Sequence, residues 1–232
     1  MVVLIVIVHL SASKIALLNP LPRRKWLSLF GGISVAFVFL HIIPELSDMQ
    51  ESLNEKLLPP FFENDLFVLS MCGILLFYGV ERGVIHYREG YSTKDEPVEE
   101  QTVFWSHVGI FALFNSIIGY YLHTELRVDD ISSFLTLLAL CFHLLIIDYS
   151  LLLHHDKMYD KAGRWVMTIS VLTGWIIGTV FTIPDYISYI LFALLSGAII
   201  VNSFKEELPE EKESNYVFFL IGASVYTILW II

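Results

Sequence analysis

Charge is scarce in this sequence. Only 16% of its 232 residues are charged, whereas 56% are hydrophobic, and the mean hydropathy is +0.66. A soluble domain of this length needs far more charge to cover its surface. The composition therefore excludes the soluble globular class and predicts an integral membrane protein.

The sequence also contains few cysteines and few basic residues. Cys72 and Cys141 both lie inside apolar runs, so they are read as small hydrophobic residues and no disulfide framework is predicted. The net charge of −10 is carried almost wholly by the segments between the apolar runs. An acidic balance of this kind argues against nucleic acid as a partner.

What the sequence has in abundance is apolar runs of about 20 residues, the length that crosses a bilayer as a helix. No connection between them is long enough for a second domain, so residues 1–232 are predicted to form one all-α transmembrane domain. The first run lacks the basic residues that precede the apolar core of a signal peptide, and it is kept as a helix. The eight predicted spans are approximately 2–18, 26–46, 62–86, 102–123, 131–153, 163–183, 186–204 and 215–232.

The basic residues predict the orientation of these spans. Connections 2–3, 4–5 and 6–7 contain only Lys56 and Arg127. The other connections contain eleven: Arg23, Arg24, Lys25, Arg82, Arg88, Lys94, Lys157, Lys161, Arg164, Lys205 and Lys212. Because cytoplasmic loops are enriched in Lys and Arg, both termini are expected outside the cytoplasm.

Polar groups at membrane depth need an explanation, because inserting a charged group costs about 2.5–3.5 kcal/mol. The set comprises His9, His41, Glu45, His107, Asn115, His143 and Asp148. His41 and Glu45 close the second predicted span on one helical face at its outer mouth. For these two alone, a solvated helix end is the simpler interpretation. Asn115 alone is most simply an interhelical hydrogen-bonding residue.

His143 and Asp148 stand well inside the fifth predicted span. Five residues separate them by about 140° around a helix, so they could border a cavity without sharing a face. Imidazole and carboxylate together suit Zn, Fe or Mn better than Ca or Mg. His154, His155 and Asp156 extend this row towards the cytoplasm. The spacing is equally compatible with a structural His143–Asp148 pair and a solvated His-His-Asp end.

The order of these motifs resembles that of the zinc/iron permease (ZIP) family of divalent-metal transporters. Residues 41–45, His-Ile-Ile-Pro-Glu, are similar to the end of that family's second helix, and residues 75–82 are similar to its third. Thr173–Gly178 is similar to its small-residue sixth helix, and residues 196–210 are similar to its seventh helix and the Leu-Pro-Glu that follows. The resemblance covers nearly the whole chain and implies eight helices, metal transport and a homodimer.

The departures from the family fall where its transport chemistry lies. The fourth helix of the family carries His-Asn-x-x-Asp/Glu-Gly, but here Phe114 and Ile118 replace the His and the carboxylate, while Asn115 and Gly119 remain. The fifth helix keeps His143 and a final acid, Asp148, but lacks the family's inner Glu, Pro and second His. A two-metal site is therefore not expected. A single-metal site from Asn115, His143, Asp148 and His107 or a water is the remaining possibility.

Two functions follow from the resemblance. The first is transport of a divalent transition metal (zinc, iron or manganese) by alternating access in the bacterial inner membrane. His41 and Glu45 would then lie at the entrance, and His154, His155 and Asp156 at the exit. The second is a ZIP-like protein that has lost transport and serves as a sensor, scaffold or partner subunit. No His-Glu-x-x-His or Gly-x-Ser-x-Gly motif occurs, so an enzyme is not expected.

Overall fold

The computed structural model describes residues 1–17, 23–56, 65–92, 100–126, 130–205 and 215–232. Within these ranges, the side chains of 13–17, 23, 24, 55, 56, 84–92, 100 and 156 are not described. All regular structure in the described part is helical. The α-helices are α1 (Val2–Leu17), α2 (Arg23–Phe37), α3 (Ile43–Lys56), α4 (Asp65–Ser92), α5 (Glu100–Thr124), α6 (Ile131–Met158), α7 (Arg164–Val180), α8 (Asp185–Lys205) and α9 (Tyr216–Ile231).

Five helical stretches among the described residues are long and apolar enough to cross a membrane. They are Lys25–Asn54, Asp65–Gly83, Gln101–Thr124, Ile131–His155 and Asp185–Lys205. The chain is thus all-helical and has the long apolar helices of an integral membrane protein. Helices α1 and α9 have 16 residues and α7 has 17. These lengths give about 25 Å, which is shorter than the ~30 Å hydrocarbon core, so the count of eight spans stays a prediction.

The second predicted span does not end at Glu45. The helix continues to Lys56 through a π-helical turn at Val38–Ile42. Pro44 lies just after that turn. Because proline has no N–H and its ring crowds the carbonyl of residue 40, the regular hydrogen bonds of an α-helix cannot continue through this position. A wider turn accommodates the proline without ending the helix. The prediction that His41 and Glu45 close this helix was therefore wrong.

The predicted break between the fifth and sixth spans is also absent. A second π-helical turn, Tyr159–Gly163, joins α6 directly to α7. The hydroxyl of Tyr159 donates a hydrogen bond to the carboxylate of Asp148, eleven residues earlier. Eleven residues rise about 16 Å along a straight helix, too far for this contact, so the axis must turn here. No proline interrupts residues 154–163, and the chain bends while its backbone stays helical.

Three pairs of helices pack closely and run parallel. In α5 and α7, Asn115 donates to the sulfur of Met167 and, further along both helices, His123 packs against Gly178. In α4 and α8, Ser196 bonds Ser70 at one level and Lys205 pairs with Glu81 at a later one. In α2 and α9, Asn215 bonds Ser28, and Trp230 packs against His41.

Glycines permit these close approaches. In each pair, a glycine on one helix lies against a backbone carbonyl of the other, and the contact is reciprocated three residues away. The pairs of glycines are Gly32 with Gly222, Gly73 with Gly197, and Gly119 with Gly174. Small residues of this kind permit close contacts either within one chain or between two chains. These six serve internal packing.

Helix α6 lies deepest in the bundle. In its most apolar stretch 67% of residues are buried, against 22% in α4. Asp130 caps its start by accepting hydrogen bonds from the backbone N–H groups of Ser132 and Ser133, at 3.3 and 3.2 Å. The bond from Ser133 is the main cause that holds the pKa of the exposed Asp130 below its usual value. The helix that carries Asp148 and His155 is therefore fixed both by burial and by its cap.

Replacing Gly174 by Ala is expected to destabilise the bundle. The new Cβ would overlap the carbonyl oxygen of Ser116, so α5 and α7 must separate, at a cost of about 1–3 kcal/mol or more. Thermal unfolding of the purified protein in detergent measures this effect. Gly109→Ala is the matched control, because a Cβ there meets no atom and Ala favours the helix. Equal melting of the two variants would contradict the close contact.

Candidate functional site

The imidazole of His9 is the centre of a buried polar cluster. Its Nδ1 lies 2.8 Å from Oδ2 of Asp148, and its Nε2 lies 3.0 Å from Oδ1 of Asn115. His9 is 1% exposed, Asp148 0% and Asn115 2%. These contacts join α1, α5 and α6 at one point that is buried from bulk solvent.

The orientation of Asn115 determines the protonation of His9. The Asn115 amide nitrogen donates to the carbonyl oxygen of Phe111 at 3.0 Å, which directs its Oδ1 towards the imidazole. Both ring nitrogens of His9 then face acceptors, and an imidazole donates from both nitrogens only when it carries two protons. With Asp148 as the carboxylate, the geometry is that of an imidazolium paired with it.

Tyr159 completes the cluster from the π-helical turn. Its hydroxyl donates to Oδ1 of Asp148, while His9 occupies Oδ2, so each carboxylate oxygen has a partner. Tyr159 is 1% exposed, and a Cβ at Gly163 would overlap its ring. The glycine therefore leaves the space that Tyr159 needs to reach Asp148. We call His9, Asn115, Asp148 and Tyr159 the polar cluster.

A cavity of about 170 Å³ lies between α4, α5, α6 and α8, away from the polar cluster. It has room for several water molecules. Its polar lining consists of Glu81, His107, Ser150, His154, His155 and Asn202. We call it the large cavity.

His107 and His155 face each other in the wall of the large cavity. Nδ1 of His107 and Nε2 of His155 are 3.0 Å apart, so the N–H of one ring donates a hydrogen bond to the nitrogen of the other. His155 is buried and His107 is partly buried. Two imidazoles from different helices thus converge at one point.

Asn202 is a buried polar residue in the wall of the large cavity. It is 2% exposed, and neither its amide oxygen nor its amide nitrogen has a hydrogen-bond partner among the described residues. An unsatisfied buried amide costs about 1–3 kcal/mol per group. Because Asn202 borders the large cavity, water or a ligand in the cavity would satisfy it.

Two smaller cavities lie next to one another, and one of them lies next to the large cavity. The middle cavity, about 20 Å³, is lined by Asn115, His143 and Asn202 among apolar residues. The third, about 10 Å³, is lined by His41, Tyr121 and Thr136. The large and middle cavities share Phe77, Phe111, Ile147 and Asn202, whereas the middle and third share Ile118, Leu195 and Ile199. The smaller two hold about one water molecule each.

The structure brings two of the four predicted metal ligands into one hydrogen-bonded group. Asp148 and Asn115 come together, but around His9, while His107 pairs with His155 instead. His143 is buried and lines the middle cavity. Across the described residues, no group of three or more His, Cys, Asp or Glu side chains is arranged to hold a metal ion. Asp148 is engaged by His9 of α1 and by Tyr159 of the π-helical turn, and the single-metal site stays a prediction.

The predicted entrance and exit residues are in varied surroundings. His41 is buried, lies 3.3 Å from the hydroxyl of Thr136 and stacks on Phe37, so it is no solvated helix end. Glu45 is partly buried, close enough to Asp48 and Glu125 for the charges to interact. His154 is exposed and donates from Nδ1 to the carbonyl of Ser150. The side chain of Asp156 lies outside the described part.

Sequence reasoning missed three residues of these sites. His9 was noted as a polar residue at membrane depth, but nothing in its spacing connected it with Asp148. Tyr159 lay in a segment predicted to be a connection. Asn202 stands in Ile-Val-Asn-Ser-Phe near the end of an apolar run. An amide inside an apolar run was the only sequence signal that could have marked it.

The sequence matches no protein-family model, and no curated protein matches it. The function is therefore argued from the site itself.

Removing either partner of the His9–Asp148 pair is expected to destabilise the fold strongly. His9→Leu or Asp148→Leu leaves one charge buried without its partner, which costs about 3–5 kcal/mol. The double variant His9→Leu/Asp148→Leu buries no charge and should unfold at a higher temperature than either single variant. Thermal unfolding in detergent measures all three. Additive losses would show that the two residues do not form a charge pair.

Tyr159→Phe is expected to lower stability by about 1.5–3 kcal/mol, since Asp148 then lacks a donor at Oδ1. Tyr186→Phe, which changes an exposed tyrosine on α8, serves as the control in the same unfolding measurement. Indistinguishable melting of the two variants would mean that the hydroxyl bond contributes nothing.

Proposed function

We propose that the protein transports a divalent transition-metal cation across a membrane, by alternating access along the three cavities. The observation that carries the proposal is their arrangement in a row: each cavity shares lining residues with the next. Histidine or amide side chains line all three, amid apolar residues. Such groups are costly inside a membrane and typically mark ion paths.

The two ends of this path differ as a transporter requires. The large cavity is formed by the ends of α4, α6 and α8 that lead into the basic connections, and by the start of α5. Under the positive-inside rule this end faces the cytoplasm, and both termini face outward. The third cavity lies towards the acidic end, near Glu45 and Glu125. These carboxylates would attract cations.

The cavity sizes support an inward-facing conformation. The large cavity has room for a partly hydrated ion, whereas the middle and third cavities hold about one water molecule each. An ion at the outer end could pass only after α2, α5, α6 and α8 separate around His41 and Thr136. Relative movement of helix groups around a site near the midplane is how alternating access works.

The side chains would act in sequence on an ion that loses its water. His41 faces the outer cavity, His143 and Asn202 the middle one, and His107 and His155 the inner one. Imidazole is a suitable ligand for Zn, Fe and related ions. The polar cluster would not bind the ion, since its hydrogen-bonding groups are engaged with one another, and would hold α1, α5 and α6 in place.

A second candidate is a ZIP-like membrane protein without transport activity, acting as a sensor, scaffold or partner subunit. The observation in its favour is that Asp148 and Asn115 are engaged by His9, and that no group of three His, Cys, Asp or Glu side chains forms within the described ranges. The bacterial inner membrane and a homodimer remain part of the proposal on the family resemblance alone.

Uptake of Zn²⁺, Mn²⁺ and Fe²⁺ into proteoliposomes tests the proposal. Native protein should take up at least one ion above empty liposomes, and Asn202→Leu should reduce uptake about tenfold, equivalent to about 1.4 kcal/mol in the barrier. His123→Ala is the matched control, because His123 is exposed and borders none of the three cavities. Absence of uptake by folded native protein would exclude transport of these ions and favour the second candidate.

A further inference from the structure

The pair His107–His155 differs from the metal site that the sequence predicted. It contains neither Asp148 nor Asn115, and it lies in the wall of the large cavity. The two nitrogens face each other from α5 and α6, the central helix of the bundle. One of the two nitrogens donates a hydrogen bond to the other, and a bound ion would replace this hydrogen bond.

The distance between these nitrogens is close to what a bound metal ion needs. Zn–N bonds of about 2.0–2.1 Å with tetrahedral angles place two nitrogens about 3.3 Å apart. The present separation is 3.0 Å, so the two nitrogens would move apart by a few tenths of an ångström, and both rings would tilt until their lone pairs point at one ion. The donating ring would transfer its proton to its other nitrogen, and a neutral pair would lose no proton overall.

The surroundings can supply the remaining ligands. Asn202 borders the same cavity with an unpaired amide oxygen at 2% exposure, and the cavity has room for water. Glu81 also lines the cavity, but its charge is paired with Lys205 and it belongs to no three-ligand group. A site of two imidazoles, an amide oxygen and water has the coordination number of zinc.

We propose that His107 and His155 form a two-imidazole site that binds one borderline divalent cation, such as Zn²⁺, in the large cavity. The inference rests on the proposed transport function and names where its ion is held on the cytoplasmic side. Imidazole ligands favour Zn²⁺ and Co²⁺, while Mg²⁺ and Ca²⁺ prefer carboxylate and carbonyl oxygen. The site should therefore discriminate between these two classes of ion.

Metal binding to the purified full chain in detergent tests this site without requiring transport. Titration with Co²⁺, followed by visible absorption, and with Zn²⁺, followed by calorimetry, should give one ion per chain and no comparable binding of Mg²⁺ or Ca²⁺. His107→Gln and His155→Gln keep a side chain of similar size, and each should weaken binding at least about tenfold. His123→Ala should bind as the native protein does.

Thermal unfolding with and without Zn²⁺ separates loss of the site from loss of the fold. Zn²⁺ should raise the melting temperature of native protein and of His123→Ala, because a ligand that binds only the folded state stabilises it. It should not raise that of the two glutamine variants, whose metal-free melting shows that they fold. Native protein that binds no Zn²⁺, or glutamine variants that bind it unchanged, would overturn the site.

The same variants in the uptake assay distinguish this inference from the proposed function. Zn²⁺ binding at the pair without uptake by native protein would support the site and refute transport. Uptake by native protein with unchanged binding in both glutamine variants would support transport and refute the site.

Discussion

The His9–Asp148 ion pair is the contact on which the arrangement of the bundle depends. It buries two opposite charges at 0–1% exposure and joins α1 to α6, while Asn115 extends it to α5 and Tyr159 to the turn before α7. Neither charge is tolerable there alone, because an unpaired ion in an apolar interior costs several kcal/mol. The pair thus requires the first helix to pack against the centre of the molecule.

This pair also determines which polar groups are left for an ion. Asp148 and Asn115 were both predicted as metal ligands, yet both are engaged by His9. The histidine and amide groups that line the cavities and lie outside the polar cluster include His41, His143, Asn202, His107 and His155. If the protein moves a cation, it does so with imidazole and amide ligands, and the buried carboxylate has a structural role.

Close packing around this centre comes from parallel helix pairs. Gly119 with Gly174, and the equivalent pairs in α2–α9 and α4–α8, let backbones touch where larger residues would hold them apart. In a membrane such packing replaces the hydrophobic effect as the source of helix association. The cavities lie between the pairs, where α4, α5, α6 and α8 do not fill the space.

The sequence by itself determined the helical membrane class, because long apolar runs with charge confined to the connections admit no other packing. It also determined most helix positions, such as α8 at Asp185–Lys205 against a predicted 186–204. The tertiary structure decided which polar groups meet. His9 lies 139 residues from Asp148 in the chain, and periodicity reports only neighbours within one helix. The π-helical turns at Val38–Ile42 and Tyr159–Gly163 were equally invisible, since hydropathy cannot distinguish a bent helix from two helices and a connection. Tyr159 reaches Asp148 only because the helix axis turns, and His9 reaches it only because α1 packs against α6, so tertiary packing decided that this carboxylate belongs to the polar cluster.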